Sequence, residues 1–437
     1  MKKQTVIIIA LLVGLIASSC AESTMQSKIP GESADAAENP KISATDSTEK
    51  ESGAVTPTTP SDLSSETTGN EAEDGSAIET AEPTVPMEPL VNPLSGLPAN
   101  DPETLDLPPA LVSITNFPPT ARPQAGLSFS PIVFELFIGE GMTRFLALFY
   151  GNFPEASVPE NHALDPEEFA QTAGEPVIGP IRSGRLPYEH LRKLYSGFIV
   201  MASAYSKVMD QLNEYVNVYG DDRMDINSAL IDTNELKALA ASNQEALGSA
   251  QLTGMSFDPQ PPEGGRTAHS LWIFFSYLNQ VFWRYNPEDG SYHRWQDKAD
   301  GSSFVEQTDR LNGEPLAYEN VIILFADHEV QAANLIDVAL LYVKRGNAKL
   351  LRDGQIYDLY WTTKSEAYEQ TTGKFRPIRF IDAEGNPFPL KPGQTWVEIV
   401  PNYIACWETV NSEKYNQLAA GRSKGSGYWG LYFKLDE

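Results

Sequence analysis

Apolar and polar positions divide this chain into three stretches. An unbroken apolar run at 6–16 follows two lysines, and a polar stretch at 21–91 then has no Phe, Tyr or Trp. From residue 92 onward, short apolar runs recur between turn residues, and all seven tryptophans lie there. Short runs of this kind, continuous or alternating, are typical of strands. The third stretch is therefore predicted to be a folded body rich in β-structure.

The first half of this body mixes strands with helices. The predicted elements are strands at 110–115, 131–137, 143–150 and 197–202, and helices at 188–195, 206–215 and 233–247. Gly139 and Gly141 predict a tight connection between the second and third strands. The aromatic segment 270–283 fits either a helix or a strand.

The second half is predicted to be mainly antiparallel β-structure. The predicted elements are a hairpin within 281–295 and strands at 320–325, 349–361, 375–381 and 395–400, separated by glycine-containing turns. The fold class is therefore α+β, with a mixed α/β N-terminal domain followed by a mainly antiparallel β C-terminal domain. The predicted divisions are a signal at 1–20, a linker at 21–91, an N-terminal module at 92–280 and a C-terminal module at 281–437.

The first twenty residues have the pattern of a secretory signal that ends in a cysteine. Lys2 and Lys3 precede the apolar run, and small residues lead into Cys20, with Ala17 where leucine is usual. This pattern is typical of a bacterial lipoprotein, so we expect cleavage before Cys20 and a diacylglycerol on its sulfur. A plain secretory signal and an uncleaved helix are the alternatives. The linker, with 15 acidic residues and 3 lysines, is predicted to be a disordered, extended spacer.

The net negative charge of the chain limits the classes of molecule that it is expected to bind. The formal net charge of the chain is −27, and the body alone has 44 acidic and 27 basic residues. A surface this negative disfavours nucleic acid and direct docking on anionic lipid. Cys406 is the only cysteine besides Cys20. It lies in an apolar, aromatic run, so we interpret it as a core residue and not as a nucleophile.

Several stretches resemble the YerB-like lipoproteins, a bacterial family whose two modules are domains of unknown function. The matching stretches are NPLSG at 92–96, ARPQAGLS at 121–128, PIVFELFIGEGMTRFLALF at 131–149, IGPIRSGR at 178–185, RTAHSLW at 266–272 and GNPFPLKPGQTWVEIVP at 385–401. The chain departs from the family pattern at Ala268, where proline is usual, and at Ser130–Pro131, where the family has an Ala-Asp pair. The resemblance implies lipid anchoring, two modules and a shared site, but no activity.

Arginines within these stretches are the main candidates for chemistry. Arg182, Ser183 and Arg185 lie in a Gly-Pro loop that leads toward the predicted helix at 188–195, and Arg122 and Arg144 are predicted to complete the cluster. Glu135 and Glu140 are predicted to belong to the same ligand-binding cluster. Guanidinium groups and the free N–H groups of a helix N-terminus both favour phosphate or carboxylate. The alternative is structural: the arginines would form salt bridges with Glu135, Glu140 and Glu189.

His269 is the strongest candidate among the histidines. It lies in RTAHS between a Gly-Gly turn and an aromatic run, where a general acid or base role and a structural role are both open. The other histidines are scattered without metal-ligand spacing, so neither a metal nor a cofactor is expected. Aromatic residues at 283, 285, 292 and 295 alternate around a turn, as in some sugar-binding grooves, but packing of the hairpin on the neighbouring domain is the favoured interpretation.

These observations lead to one functional hypothesis and two alternatives. The hypothesis is a lipid-anchored protein on the extracytoplasmic face of the cell membrane that binds an anionic envelope component, such as a phosphorylated glycan or lipid-linked sugar. The first alternative is an envelope-polymer phosphotransferase or hydrolase, since the arginines after paired strands are similar to those of the LytR-CpsA-Psr phosphotransferases. The second is a non-catalytic assembly partner with its arginines buried in salt bridges.

Overall fold

The short apolar runs form strands, as predicted. A computed structural model describes residues 90–99, 101–154, 176–222, 224–250 and 252–435. The predicted signal with Cys20 and the predicted linker up to residue 89 lie outside the described residues. The strands in chain order are β1 (Ala110–Thr115), β2 (Ile132–Gly139), β3 (Met142–Phe149), β4 (Val177–Ile178), β5 (Phe198–Met201), β6 (Tyr215–Asn217), β7 (Ile231–Asp232), β8 (Arg266–Thr267), β9 (Ser270–Ser276), β10 (Asn279–Asn286), β11 (Ser291–Asp297), β12 (Phe304–Glu306), β13 (Ala317–Tyr318), β14 (Asn320–Ala326), β15 (His328–Ala332), β16 (Leu335–Val338), β17 (Gly346–Arg352), β18 (Gln355–Thr362), β19 (Arg379–Ile381), β20 (Thr395–Pro401), β21 (Cys406–Glu408) and β22 (Tyr428–Tyr432).

Helices are fewer and shorter. The α-helices are α1 (Pro187–Tyr195), α2 (Ser206–Met209), α3 (Thr233–Leu247), α4 (Ala367–Thr372) and α5 (Tyr415–Ala420). Short 3₁₀-helices lie at Pro102–Asp106, Pro119–Ala121 and Leu127–Phe129. Among the described residues, no helix is long and apolar enough to span a membrane.

Two large sheets form the framework. The larger has eleven strands in the order β19-β18-β17-β14-β20-β2-β3-β1-β5-β6, with β8 beside β18. The smaller has seven in the order β12-β11-β10-β9-β22-β21, with β13 beside β11, and two-stranded sheets join β15 to β16 and β4 to β7. Most neighbours are antiparallel, while β2 and β14 pair with β20 in parallel. The protein is therefore sheet-rich, with several mainly antiparallel sheets.

Both faces of the larger sheet are buried. Val133 and Phe145 share one core with Ile273 and Trp283 of the smaller sheet. Their sequence neighbours point to the opposite face, where a second core packs around α1 (members include Phe134, Leu146, Leu191 and Leu194). Burial on two faces explains why β2 and β3 are continuous apolar runs instead of alternating ones.

The predicted domain boundary at 280/281 falls inside β10. Strands from both sides of this boundary share the larger sheet, since β1 to β3 neighbour β20 and β14. The described residues belong to one compact unit, Pro83–Glu437. The mixed α/β N-terminal domain (92–280) and the separate C-terminal module (281–437) therefore stay predictions.

Two predicted elements are resolved differently in the structure. The segment 270–283, left open between helix and strand, forms β9 and the start of β10. The helix predicted at 206–215 is wrong beyond Met209, where α2 ends. The backbone N–H of Asn213 donates to Glu189 Oε2 at 3.0 Å, and Glu214 adopts a φ of 49°. These two local features turn the chain into β6.

Candidate anion-binding site

Three of the predicted arginines meet at one end of the larger sheet. Arg144 lies on β3 opposite Thr115, the last residue of β1. The loop before α1 runs beside β1, because the Arg182 backbone N–H donates to the Ser113 carbonyl at 2.9 Å. The loop is also joined to the chain after β5, since the Ala202 N–H donates to the Arg182 carbonyl at 3.0 Å. These hydrogen bonds hold Arg182 and Arg185 near Arg144.

The three side chains contact carbonyl oxygens and no described carboxylate. Arg144 Nη1 donates to the Ser183 carbonyl at 3.3 Å, and Arg182 Nη1 to the Ile226 carbonyl at 3.0 Å. Arg185 Nη1 donates to the Gly184 carbonyl at 3.1 Å. The buried Nε atoms of Arg144 and Arg185 have no hydrogen-bond partner among the described residues. A guanidinium group has five N–H donors, so these hydrogen bonds use only part of the donor capacity of each side chain.

The acids predicted as structural partners pair elsewhere. Glu135 Oε2 lies 2.7 Å from Arg294 Nη2, and Glu189 Oε1 lies 2.8 Å from Arg192 Nη2. Glu140 is exposed at the tip of the β2–β3 hairpin. In the described part of the chain, no ion pair joins Arg144, Arg182 or Arg185 to an acid.

Like charges are therefore concentrated at this site. Burial, with the nearby guanidinium groups of Arg185 and Arg182, lowers the pKa of Arg144 to about 9. Burial also lowers the pKa of Arg182, and Arg185 adds to the effect. Guanidinium groups stay protonated at neutral pH. Three positive charges thus share a partly dehydrated space, and a bound anion would relieve their repulsion.

A buried pair of hydroxyl groups lies beside the arginines. Tyr188 is fully buried, and its Oη lies 3.1 Å from Ser113 Oγ. The Ser113 hydroxyl donates to the Ser183 carbonyl at 3.3 Å, so the Tyr188 hydroxyl is the donor in its hydrogen bond with Ser113. Both hydroxyl protons are therefore used within the protein, and burial raises the pKa of Tyr188.

The N-terminus of α1 contributes less than the sequence predicts. Pro187 has no N–H, and the next two N–H groups, of Tyr188 and Glu189, donate to the carbonyls of Arg185 and Leu186 at 3.1 and 3.2 Å. The prediction that free helix N–H groups would help to hold an anion is wrong for these three residues. Side chains therefore have to supply most of the contacts.

Glu135 and Arg122 belong to a different network, between the two sheets. Glu135 accepts a hydrogen bond from Thr143 Oγ1 at 2.6 Å and pairs with the fully buried Arg294. Arg122 Nη1 donates to the Asp297 carbonyl at 2.7 Å. Burial, followed by the charge of Arg294, lowers the pKa of Arg122 to about 10. Because Thr143 and Arg144 are consecutive on β3, this network and the arginine site lie on opposite faces of the larger sheet.

The inter-sheet network also contains an acid that sequence reasoning missed. Glu398 is opposite Glu135 in the parallel pairing of β2 and β20, and Trp283 Nε1 donates to Glu398 Oε1 at 2.9 Å. Burial and the Glu135 carboxylate raise the pKa of Glu398 well above its ordinary value. Arg294 and Glu398 are charged residues at inward-facing positions of aromatic or apolar strands. A charged residue within such a strand is the sequence signal that could have identified them.

His269 lies away from the three arginines. It precedes β9, whose other end contacts the β2–β3 hairpin through Ser276 Oγ and the Gly141 carbonyl at 3.3 Å. A seven-residue strand spans roughly 23 Å. Of the predicted ligand-binding residues, the structure brings together Arg144, Arg182, Ser183 and Arg185, and it separates Arg122, Glu135, Glu140 and His269 from them.

Metal and thiol chemistry have little support in the described residues. No group of three or more His, Cys, Asp or Glu side chains there is arranged to hold a metal ion. Cys406 is half-buried in β21, and burial raises the pKa of its thiol to about 12. A neutral thiol is a poor nucleophile, which agrees with its interpretation as a structural residue.

Comparison with protein families gives the wider context. Residues 94–238 match the family described as "Protein of unknown function (DUF3048) N-terminal domain". Residues 272–397 match the corresponding C-terminal domain. The chain belongs to the DUF3048 family. The arginine site lies entirely within the N-terminal DUF3048 match, whereas the inter-sheet network uses residues from both segments.

Two comparisons with one relative extend this result. The chain is 26% identical over 336 residues to "Putative lipoprotein YerB" of Bacillus subtilis (strain 168), covering 72% of this chain and 88% of the relative. The crystal structure of the YerB protein from Bacillus subtilis matches with a TM-score of 0.53 and 24% identity, over 71% of this chain and 97% of that one. The predicted resemblance to the YerB-like lipoproteins is therefore confirmed, and the DUF3048 fold is shared.

Proposed function

We propose that this DUF3048 protein is a lipid-anchored binding protein of the bacterial cell envelope, and that it binds an anionic envelope component through Arg144, Arg182 and Arg185. The observation that carries the proposal is the set of three neighbouring guanidinium groups without a described carboxylate partner. Uncompensated buried charge destabilises a fold, so its presence calls for a compensating ligand.

Sequence and relationship support the anchor. The signal pattern ends at Cys20, and the relative YerB is named as a lipoprotein. A long polar linker then provides the reach for the body to contact envelope polymers on the extracytoplasmic face. Incorporation of labelled fatty acid into the full chain, and its loss in Cys20→Ser, would test this part directly.

Charge favours a phosphorylated ligand over a simple carboxylate. Three guanidinium groups match a group with two negative charges and several acceptor oxygens better than a single carboxylate. A phosphorylated glycan or a lipid-linked sugar phosphate is therefore the proposed class of ligand.

A thermal-shift screen of the full chain in detergent tests the proposal. The probes are glycerol phosphate oligomers, polyprenyl phosphate, sugar phosphates and muropeptides, with acetate as the carboxylate comparison. A ligand present at 100 times its dissociation constant adds about 2.7 kcal/mol, a shift that such a screen detects. We expect stabilisation by at least one phosphorylated probe and none by acetate.

A matched pair of variants identifies the site. Arg182→Ala should abolish the ligand-induced shift. Arg345→Ala should preserve it, because Arg345 is an exposed arginine over Tyr360 and precedes β17, several strands away from β3. Equal shifts in wild type and Arg182→Ala would contradict the proposal. Turnover of a probe that binds would instead favour the envelope-polymer phosphotransferase or hydrolase.

A further inference from the structure

A cleft lies on the smaller sheet, at the end where β9 begins. Its volume is about 290 Å³, and its lining includes His269, Arg284, Tyr285, Asn411, Glu413 and Tyr428. Ligand pockets begin at about 300 Å³, so this cleft suits one small ring and not an extended polymer segment. The arginine site contributes no residue to it.

Backbone hydrogen bonds hold His269 at the edge of this cleft. The His269 N–H donates to the Gly427 carbonyl at 2.6 Å, and the His269 carbonyl accepts from the Tyr285 N–H at 2.9 Å. A Cβ on Gly427 would lie 2.7 Å from His269 Cδ2, so the close approach requires glycine there. The imidazole ring lies 5.6 Å from that of Tyr428, measured between centroids. The imidazole is exposed and makes no hydrogen bond to another described residue.

The polar groups of the cleft are balanced in charge. Arg284 forms an ion pair with Glu413, and Asn411 Nδ2 donates to Tyr428 Oη at 3.0 Å. The cleft thus presents donors and acceptors without a concentration of one charge. This differs from the arginine site and favours an uncharged ligand.

Aromatic rings supply the remaining surface. Tyr285 and Tyr428 are partly exposed, while Phe282 and Trp429 are buried beneath. A sugar ring has an apolar C–H face that packs on aromatic rings and hydroxyl groups that need both donors and acceptors at its edge. We propose that this cleft binds an uncharged sugar unit of a glycan, independently of the arginine site.

Calorimetric titration of the full chain in detergent tests this proposal. The probes are three neutral tetrasaccharides: maltotetraose, cellotetraose and chitotetraose. At least one should bind with a dissociation constant of about 1 mM or tighter. His269→Ala and Asn411→Ala should each weaken that binding by about tenfold, whereas Arg182→Ala should leave it unchanged.

His269, Asn411 and Tyr428 are at least partly exposed, so their variants should retain the wild-type melting temperature. Tyr428→Phe provides a second arm, since it keeps the ring and removes only the hydroxyl. It should weaken binding less than His269→Ala. The proposal is overturned if none of the three probes binds, or if the affinity of the bound probe is the same in wild type, His269→Ala and Asn411→Ala.

Discussion

Replacing Glu398 with glutamine should make stability less sensitive to pH. Glu398 is fully buried beside Glu135, and Glu135 forms an ion pair with Arg294. A second negative charge at this place would be unpaired, which is why the pKa of Glu398 is raised. Glutamine has the size of the protonated acid. Its oxygen can accept from Trp283, and its amide can donate toward Glu135.

The size of the effect follows from proton linkage. In the unfolded chain glutamate has a pKa of about 4.3. Because the folded pKa is higher, the folded state holds a proton that the unfolded state releases above this value. The stabilisation is therefore complete below the unfolded pKa and is lost as pH rises toward the folded pKa. Within that window the loss is at most about 1.4 kcal/mol per pH unit.

Urea unfolding at several pH values measures this change. The free energy of unfolding of Glu398→Gln minus that of wild type should increase as the pH rises from 5 to 7, by no more than about 1.4 kcal/mol per pH unit. Glu329→Gln is the control, because Glu329 is exposed on β15 and should show no such increase. A difference that is the same at both pH values would refute the account of a buried, protonated Glu398.

Three further predictions concern the network, the site and the anchor. Arg294→Met should lower the free energy of unfolding by about 3 kcal/mol, because it leaves Glu135 buried without its cation. A loss below about 1 kcal/mol in urea unfolding would contradict this. Arg182→Ala should raise the melting temperature of the ligand-free chain by ~2–4 °C, since it relieves the repulsion between the guanidinium groups. A lowered melting temperature would indicate that Arg182 has a structural role. Cys20→Ser should release the chain from the membrane fraction, whereas continued membrane retention would contradict lipid anchoring.

Local sequence patterns predicted which segments form strands better than they predicted which face of the sheet each side chain occupies. The runs around Phe134 and Leu146 identified β2 and β3 because both faces of these strands are buried. The same lack of alternation concealed which face each side chain occupies. Glu135 and Arg144 therefore appeared as one cluster, although they point to opposite faces of the sheet.

The arginine cluster was partly predictable for a different reason. Arg182 and Arg185 are near each other in sequence, whereas Arg144 is brought beside them by the pairing of β1 with β3 and by the hydrogen bond from the Arg182 N–H to the Ser113 carbonyl. His269 and Glu398 are brought to their places by long-range pairing of β9 with β22 and of β20 with β2. No local pattern in the sequence contains that information.

The most direct test of the central claim is equilibrium dialysis of the full chain with radiolabelled inorganic pyrophosphate. The account predicts saturable binding in wild type and in Arg345→Ala, and its loss in Arg182→Ala and Arg185→Ala. Absence of saturable binding in wild type, or equal binding in all four proteins, would contradict an anion site at Arg144, Arg182 and Arg185.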